Sequence, residues 1–341
     1  MTYITEEKKM HPSYAGGFRI SLFILERKNQ IAPPTMLTTR RMPLRLILRS
    51  NWMELLGAIA YATLIYFADR QFDRWLPEIP PTIVGLLGTS IALFLGFRIN
   101  SSYDRWWEAR KIWGQIVNDS RTLVRQTFAF TAEPHREAEH RDAIQRMRNG
   151  IGRRQVAWCY ALSRSLRGQD PLPDLSPFLS ERALESLCGK VNVPNVLLQH
   201  HSREAARLLS RGYIDGWQHQ SLDRTIASLC DCMGKCERIK NTIFPTQYTL
   251  FLHIFILFFI LLVPHTLTDL IGAYTIPFTG LLTFLFLMIE SLEVLLQNPF
   301  ENLPNDTPMT ALSRTIEIDI RQQMGEQELP PKLEPVKGVL M

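Results

Sequence analysis

An apolar run of membrane length, IPPTIVGLLGTSIALFLGF at residues 79–97, passes without a helix breaker into the charged, Trp-rich segment RINSSYDRWWEARKIWG at residues 98–114. A helix that starts apolar all round and continues with a solvated face has one end in hydrocarbon and the other in water. The junction points to a membrane protein, and to a pore if several copies gather round an axis.

Apolar residues concentrate in four blocks, residues 52–68, 79–97, 248–264 and 270–289, with strongly polar sequence between them. Each block is close to the roughly 20 residues that an α-helix needs to cross a bilayer. The neutral mean hydropathy of the chain is the average of these blocks and their polar surroundings. The rival reading of each block is a buried helix of a large soluble core.

Lys and Arg set the orientation, because cytoplasmic flanks carry the excess. Arg40, Arg41, Arg45 and Arg49 precede the first block, and Arg98, Arg105, Arg110 and Lys111 follow the second. The connection at residues 69–78 balances Arg70 and Arg74 against Asp69, Asp73 and Glu78, and that at residues 265–269 has neither Lys nor Arg. Both termini are expected in the cytosol.

The formal net charge of +5 does not call for nucleic acid, because much of the basic excess flanks the spans. The five cysteines are an odd number, all in the part expected to be cytosolic, where thiols stay reduced. The apolar run at residues 20–25 is too short for a secretory signal and no small-residue cleavage site follows it. The chain up to Pro33 and Pro34 reads as a cytosolic arm ending in a loop break.

The expected order is a cytosolic arm (residues 1–50), spans one and two (51–99), a cytosolic helical region (100–243), spans three and four (244–296), and a cytosolic C-terminal segment and tail (297–341). Trp106, Trp107, Trp113, Ile116, Val117, Leu123 and Val124 recur at helical spacing, so the second span continues into the cytosol as an amphipathic helix. Further helices are expected at residues 143–166, 181–188, 196–209 and 221–240. Asp170-Pro171-Leu172-Pro173, Asn192-Val193-Pro194 and Gly212 separate them. β-type alternation is scarce and no internal repeat is visible. From Gly325 the chain is Pro-rich and charged, an extended tail that only a supporting surface could order.

The second block has no ionisable side chain, and Gly85, Gly88, Ser90, Ala92 and Gly96 dot it, as where helices approach closely in lipid. Thr89, Leu93 and Phe97 fall on one slowly drifting stripe, since four residues rotate about 400° and rise about 6 Å. Copies around an axis would stack three rings over about 12 Å. The same spacing also describes an ordinary helix-packing face.

The run LLGTSIALFLGFRINSSYDRWWEARKIWG at residues 86–114 contains Arg105-Trp106-Trp107-Glu108. With Cys236-Glu237-Arg238, Gln297-Asn298-Pro299-Phe300-Glu301, Asn305-Asp306 and Pro308, it resembles the bestrophin family, above all its bacterial branch. The resemblance extends from about Leu37 to Gly325. It implies a homopentameric ion channel with one axial pore and a membrane neck of three apolar residues four apart, here Thr89, Leu93 and Phe97. Thr89 departs from the family, which carries an aliphatic or aromatic side chain there, so its ring is expected to be wetter. The resemblance also implies a second, cytosolic constriction in the turn before the helix expected near Ser221. Counting from Gly212 places this aperture on Trp217, with Gly216 and Gln218 as its neighbours. Animal bestrophins bind calcium through an acidic run after Asn-Pro-Phe; here ENLPNDTP offers only Glu301 and Asp306, against the 6–8 oxygens a hard cation takes.

Other polar residues point to packing first. On a helix, Cys232 and Cys236 share a face and Cys230 lies away from it, which favours packed thiols over zinc. His135 and His140 flank a charged turn, and His200-His201 begins a helix, without partners at ligand spacing. No metal site is therefore assigned. His253 lies in the third span, where an ionisable group is a functional candidate against the plainer reading of an interhelical hydrogen bond. Glu290 and Glu293 share a face at the end of the fourth span, within reach of the cytosolic arginines. No G-x-S-x-G, P-loop, dinucleotide fingerprint or H-E-x-x-H occurs, so neither an enzyme nor a cofactor is expected.

The expected molecule is an all-α membrane protein whose four transmembrane helices continue into a cytosolic helical bundle. By resemblance it is a bestrophin-like homopentamer in the bacterial inner membrane. Its partners are further copies of itself, the lipid bilayer and permeant inorganic ions, with no nucleic acid. Apolar rings bind no ions but set a dewetting barrier, so Thr89, Leu93 and Phe97 are expected to gate. Animal and plant relatives pass anions such as chloride, and a bacterial relative passes monovalent cations such as sodium. The Arg-rich cytosolic mouth leans slightly to anions, provided that Arg98, Arg105 and Arg110 face the pore rather than pair with Glu108 and Glu290. The rivals are a membrane-anchored scaffold or sensor, and a transporter; the latter usually shows broken spans and repeats.

Overall fold

The computed structural model describes residues 36–37, 44–71, 79–131, 138–242, 246–303, 305–334 and 339–340. The N-terminal arm to Pro33 and Pro34, Arg40, Arg41, Asp73, Arg74, Glu78 and His135 lie outside the described residues, as do the side chains of Arg45, Arg49 and His140.

The described residues are helical apart from loops and one short strand pair. In chain order the helices are α1 (Leu44–Gln71), α2 (Pro81–Phe130), α3 (Ala138–Leu166), α4 (Glu181–Glu185), α5 (Val193–Ser210), α6 (Gly216–Asn241), α7 (Thr246–Ile271), α8 (Thr275–Gln297) and α9 (Met309–Gln323). Two stretches, α2 and Gln247–Gln297, are long and apolar enough to cross a membrane. The second is divided into α7 and α8 by a 3₁₀ turn at Gly272–Tyr274, where Gly272 takes φ +55°. At 28 residues, α1 also has the length of a span.

The spine is α2, one helix of 50 residues and so about 75 Å long. Pro81 stands in its first turn, where a missing N–H costs nothing. No proline follows before Phe130, which is why the apolar run passes unbroken into the amphipathic one. Two cores form along it. Val84, Ile91 and Leu95 pack with Ala58 of α1, Leu252, Ile256 and Phe259 of α7, and Leu287 of α8. Farther along, Trp113, Ile116 and Leu123 join Trp158 and Leu162 of α3, Leu197 of α5, Leu229 of α6, and Ile316 and Ile320 of α9. Helix α2 runs through both cores.

Close approach separates the small residues of α2 into two sets. A Cβ at Gly88 would come within 2.9 Å of the Phe259 ring, so this glycine lets α2 and α7 meet. Gly85 and Gly96 have nothing within 4 Å of such an atom and look outward. On α1, Asn51 donates from Nδ2 to the Leu287 carbonyl (3.3 Å) and to Ser291 Oγ (2.8 Å), tying α1 to α8.

Several boundaries differ from the sequence reading for local reasons. Helix α1 starts at Leu44, inside the segment read as the arm. Helix α7 continues through Pro264 to Ile271, over the polar residues 265–269 read as the connection, where the His265 ring meets the Tyr61 hydroxyl (2.9 Å) and Thr266 donates to the Ile79 carbonyl (3.2 Å). Asn192 caps α5 by accepting the Asn195 N–H (3.0 Å), so His200 and His201 are in mid-helix and do not begin it. Helix α6 starts at Gly216, before Ser221, because Asp215 and Gln218 form a capping box: Asp215 Oδ1 accepts the Gln218 N–H (2.7 Å) and Gln218 Oε1 the Asp215 N–H (3.0 Å). The tail ends in a two-residue strand, Val339–Leu340, paired antiparallel with Met36–Leu37, and this pairing is the support that an extended tail needs.

Candidate functional site

Helix α2 buries one face and bares the other. Ile91 and Leu95 are each 1% exposed, whereas Leu93 is 58% and Phe97 59% exposed. Thr89 is exposed on the same side. Three residues four apart thus form an outward row with apolar members at two positions. The Thr89 hydroxyl donates to the Gly85 carbonyl one turn back (2.8 Å), so its proton is already committed, which tempers the wetter ring expected there.

Immediately behind Phe97 the charges turn inward. Arg98 is buried and forms an ion pair with Glu293 of α8 (2.9 Å), both side chains being fully covered. Its Nη2 also donates to Thr249 Oγ1 (2.6 Å), and its guanidinium lies 5.8 Å from the Tyr248 ring centre. Ser102 donates to Glu293 (3.1 Å), and the His253 ring meets Glu290 at 3.0 Å. The interhelical reading of His253 therefore holds, and Arg98 pairs with Glu293 rather than Glu290. A band of polar contacts fastens α2 to α7 and α8 one residue beyond the outward row.

The sequence motifs meet one level farther on. Arg105 donates to the Ile239 carbonyl of α6, and Trp106 Nε1 donates to the Asn305 carbonyl (2.6 Å) in the loop after α8. Trp107, half exposed, stacks on Trp106 with ring centres 6.1 Å apart. Glu108 pairs with Lys111 (2.7 Å). Asn298 ends α8, the Pro299 carbonyl accepts the Thr307 N–H (3.1 Å), and Phe300 is buried in the larger core. Asp306 is buried and accepts the Leu303 N–H (3.0 Å). Burial pushes its carboxyl up to about 7, against the loop N–H groups that pull it down. Glu301 pairs with Lys240 (2.6 Å). Arg-Trp-Trp-Glu and Asn-Pro-Phe thus act together as a clasp between α2, α6 and the loop that follows α8.

Trp217 stands in the first turn of α6, not in the turn before it, and is 82% exposed. Cys232 and Cys236 are buried and Cys230 exposed, as their helix faces require. His201 is fully buried; burial and the neighbouring Arg154 hold its imidazole well below the usual range, so it is neutral.

Sequence reasoning missed one residue of this region. Asp104 is exposed, follows Phe97 by two turns on the outward face, and has no hydrogen bond or ion pair among the described residues. The i+7 spacing from Phe97 was the available signal, masked by the Arg-Trp-Trp-Glu motif that begins at the next residue.

A family model described as bacterial/fungal bestrophin protein matches residues 30–322. A voltage-dependent anion channel-forming protein of Ralstonia nicotianae is 33% identical over 259 residues, 75% of this chain and 82% of its own length. Another, of Mesorhizobium japonicum, is 32% identical over 284 residues, 83% of this chain and 87% of its own. Among solved structures, a bacterial bestrophin homologue from Klebsiella pneumoniae shares 29% identity and superposes with a TM-score of 0.73 over 81% of this chain and 99% of that one. The continuous α2 spine, the clasp of its two motifs and these matches agree, and the chain belongs to the bacterial and fungal bestrophin family.

Proposed function

We propose that five copies of the chain surround one axial pore in the bacterial inner membrane, with both termini in the cytosol, and that inorganic ions diffuse through it. The observation that carries this reading is the outward row of α2. Leu93 and Phe97 are large apolar side chains left bare beside a well-packed face of the same helix. A row of this kind asks for cover by lipid, by another copy or by an axis. Around an axis it forms a neck of Thr89, Leu93 and Phe97 that is closed to ions while dry and conducts when the helices spread or rotate. Trp217, bare at the start of α6, narrows the cytosolic exit.

Anions are the favoured cargo on the strength of relatives named as anion channel-forming proteins. The charge pattern supports that preference less than the sequence suggests, because Arg98 is turned inward onto Glu293 and Arg105 onto a carbonyl. A monovalent-cation channel of the same fold is the second reading, favoured by that inward turn. The deciding experiment is reconstitution of the purified protein into a planar bilayer with unequal salt on the two sides. Steady current with a reversal potential towards the chloride equilibrium value supports the anion channel, and one towards the cation value the second reading. Absence of current from correctly inserted protein rejects both.

A further inference from the structure

We propose that Asp104 limits the anion preference of the pore, drawing cations to the cytosolic side of the neck and holding down the passage of anions. The proposal rests on the pore reading above.

Its ground is the position and isolation of one carboxylate. Seven residues after Phe97 the helix has turned about 700° and risen about 10 Å, so Asp104 lies within about 20° of Phe97 and two turns beyond it. Asp104 is exposed and without an ion pair or hydrogen bond among the described residues. Arg110, which has no hydrogen bond or ion pair among the described residues, lies about 120° round the helix from Asp104, and the other charges nearby are answered. Arg98 is covered and paired with Glu293, Glu108 is paired with Lys111, and Arg105 donates to the Ile239 carbonyl. The unanswered charge on the outward face of this stretch of α2 is therefore negative.

Copies related by a fivefold axis would turn that single carboxylate into a ring of five just beyond the apolar neck. Rings of Asp or Glu concentrate cations and exclude anions at the mouth of a conduit, whereas an apolar ring sets only the wetting barrier. The two elements are separable: Leu93 and Phe97 govern whether ions pass, and Asp104 shifts the ratio of anions to cations towards cations. A ring acting through its field, without direct coordination, also loses its hold as salt rises, since the screening length falls from about 30 Å at 0.01 M to about 3 Å at 1 M.

The test is the reversal potential of reconstituted channels under a potassium chloride gradient. Asp104→Asn is expected to raise the chloride-to-potassium permeability ratio severalfold at low ionic strength, and Asp104→Glu to keep the original ratio. In the unmodified protein the same ratio is expected to rise as total salt is raised at a constant gradient, a measurement that needs no variant and stands if Asp104→Asn does not fold. A folded Asp104→Asn pentamer with an unchanged ratio, or an unmodified channel whose ratio ignores ionic strength, would overturn the proposal. Leu93→Ala separates the two levels. If it changes the current while Asp104→Asn leaves the ratio alone, the pore stands and the role of Asp104 falls; if the unmodified protein passes no current, both fall together.

Discussion

Phe97 and Arg98 are neighbours in sequence with opposite fates, one bare and one covered, because a single step round a helix is about 100°. That step puts an apolar side chain on the outward row and sends a guanidinium to Glu293 on another helix. Removing one partner of such a buried pair typically costs about 3–5 kcal/mol, so the contact anchors α2 where the proposed neck would have to move. Replacing Leu93 and Phe97 by Ala should widen and wet two of the three rings, raising open probability or single-channel conductance severalfold. Unchanged currents from an intact assembly would mean that the row packs and does not line a pore. Asp306 gives a separate, pH-dependent expectation. Burial lifts its carboxyl from 3.8 to about 7 in the folded chain. Between those values the folded state keeps a proton that the unfolded chain has lost, so its contribution to stability falls as pH rises through that window and is level above it. Asp306→Asn keeps an acceptor for the Leu303 N–H and cannot titrate. Thermal unfolding in detergent at pH 5 and pH 8 should show a larger loss for the unmodified protein than for this variant; equal losses would remove the assignment.

Helix α6 shows how a cap places an exposed side chain. The Asp215–Gln218 capping box fixes the first turn and with it the direction of Trp217. The Asp-x-x-Gln pattern is visible in the sequence, yet the apolar periodicity that marks the rest of α6 begins only at Leu222, which is why a start near Ser221 is the natural reading. Trp217→Ala should change the permeability ratio among ions of different size, and Asp215→Ala, which costs about 1 kcal/mol of helix end, should move the ratio in the same direction by freeing that turn. If variants at Gly216, Trp217 and Gln218 all leave the ratio unchanged, the exit is built from another segment. Helix α2 teaches the complementary lesson. Its length and continuity were legible from the absence of proline after Pro81, whereas the division of its glycines was not, since only the Phe259 ring of α7 shows that Gly88 is the point of close approach.

For the whole molecule the outward row becomes useful only if identical chains repeat around an axis, because one repeated heterologous contact closes a ring. Native mass measurement in mild detergent should give five copies; a stable monomer or dimer would remove the neck and the Asp104 ring together. The sequence by itself determined the helical class, the membrane-length blocks, the passage of the second block into an amphipathic helix and the family resemblance. Each of these is carried by consecutive residues: block hydropathy, a 3.6-residue period or a contiguous motif. Only the tertiary structure decided that Arg98 answers Glu293, that Trp106 holds the loop at Asn305, and that Asp104 is left without a partner among the described residues. Whether a charge is spent inside the protein or offered to solvent depends on which distant side chain packing brings within about 3 Å, and that is a property of the folded chain rather than of any stretch of it.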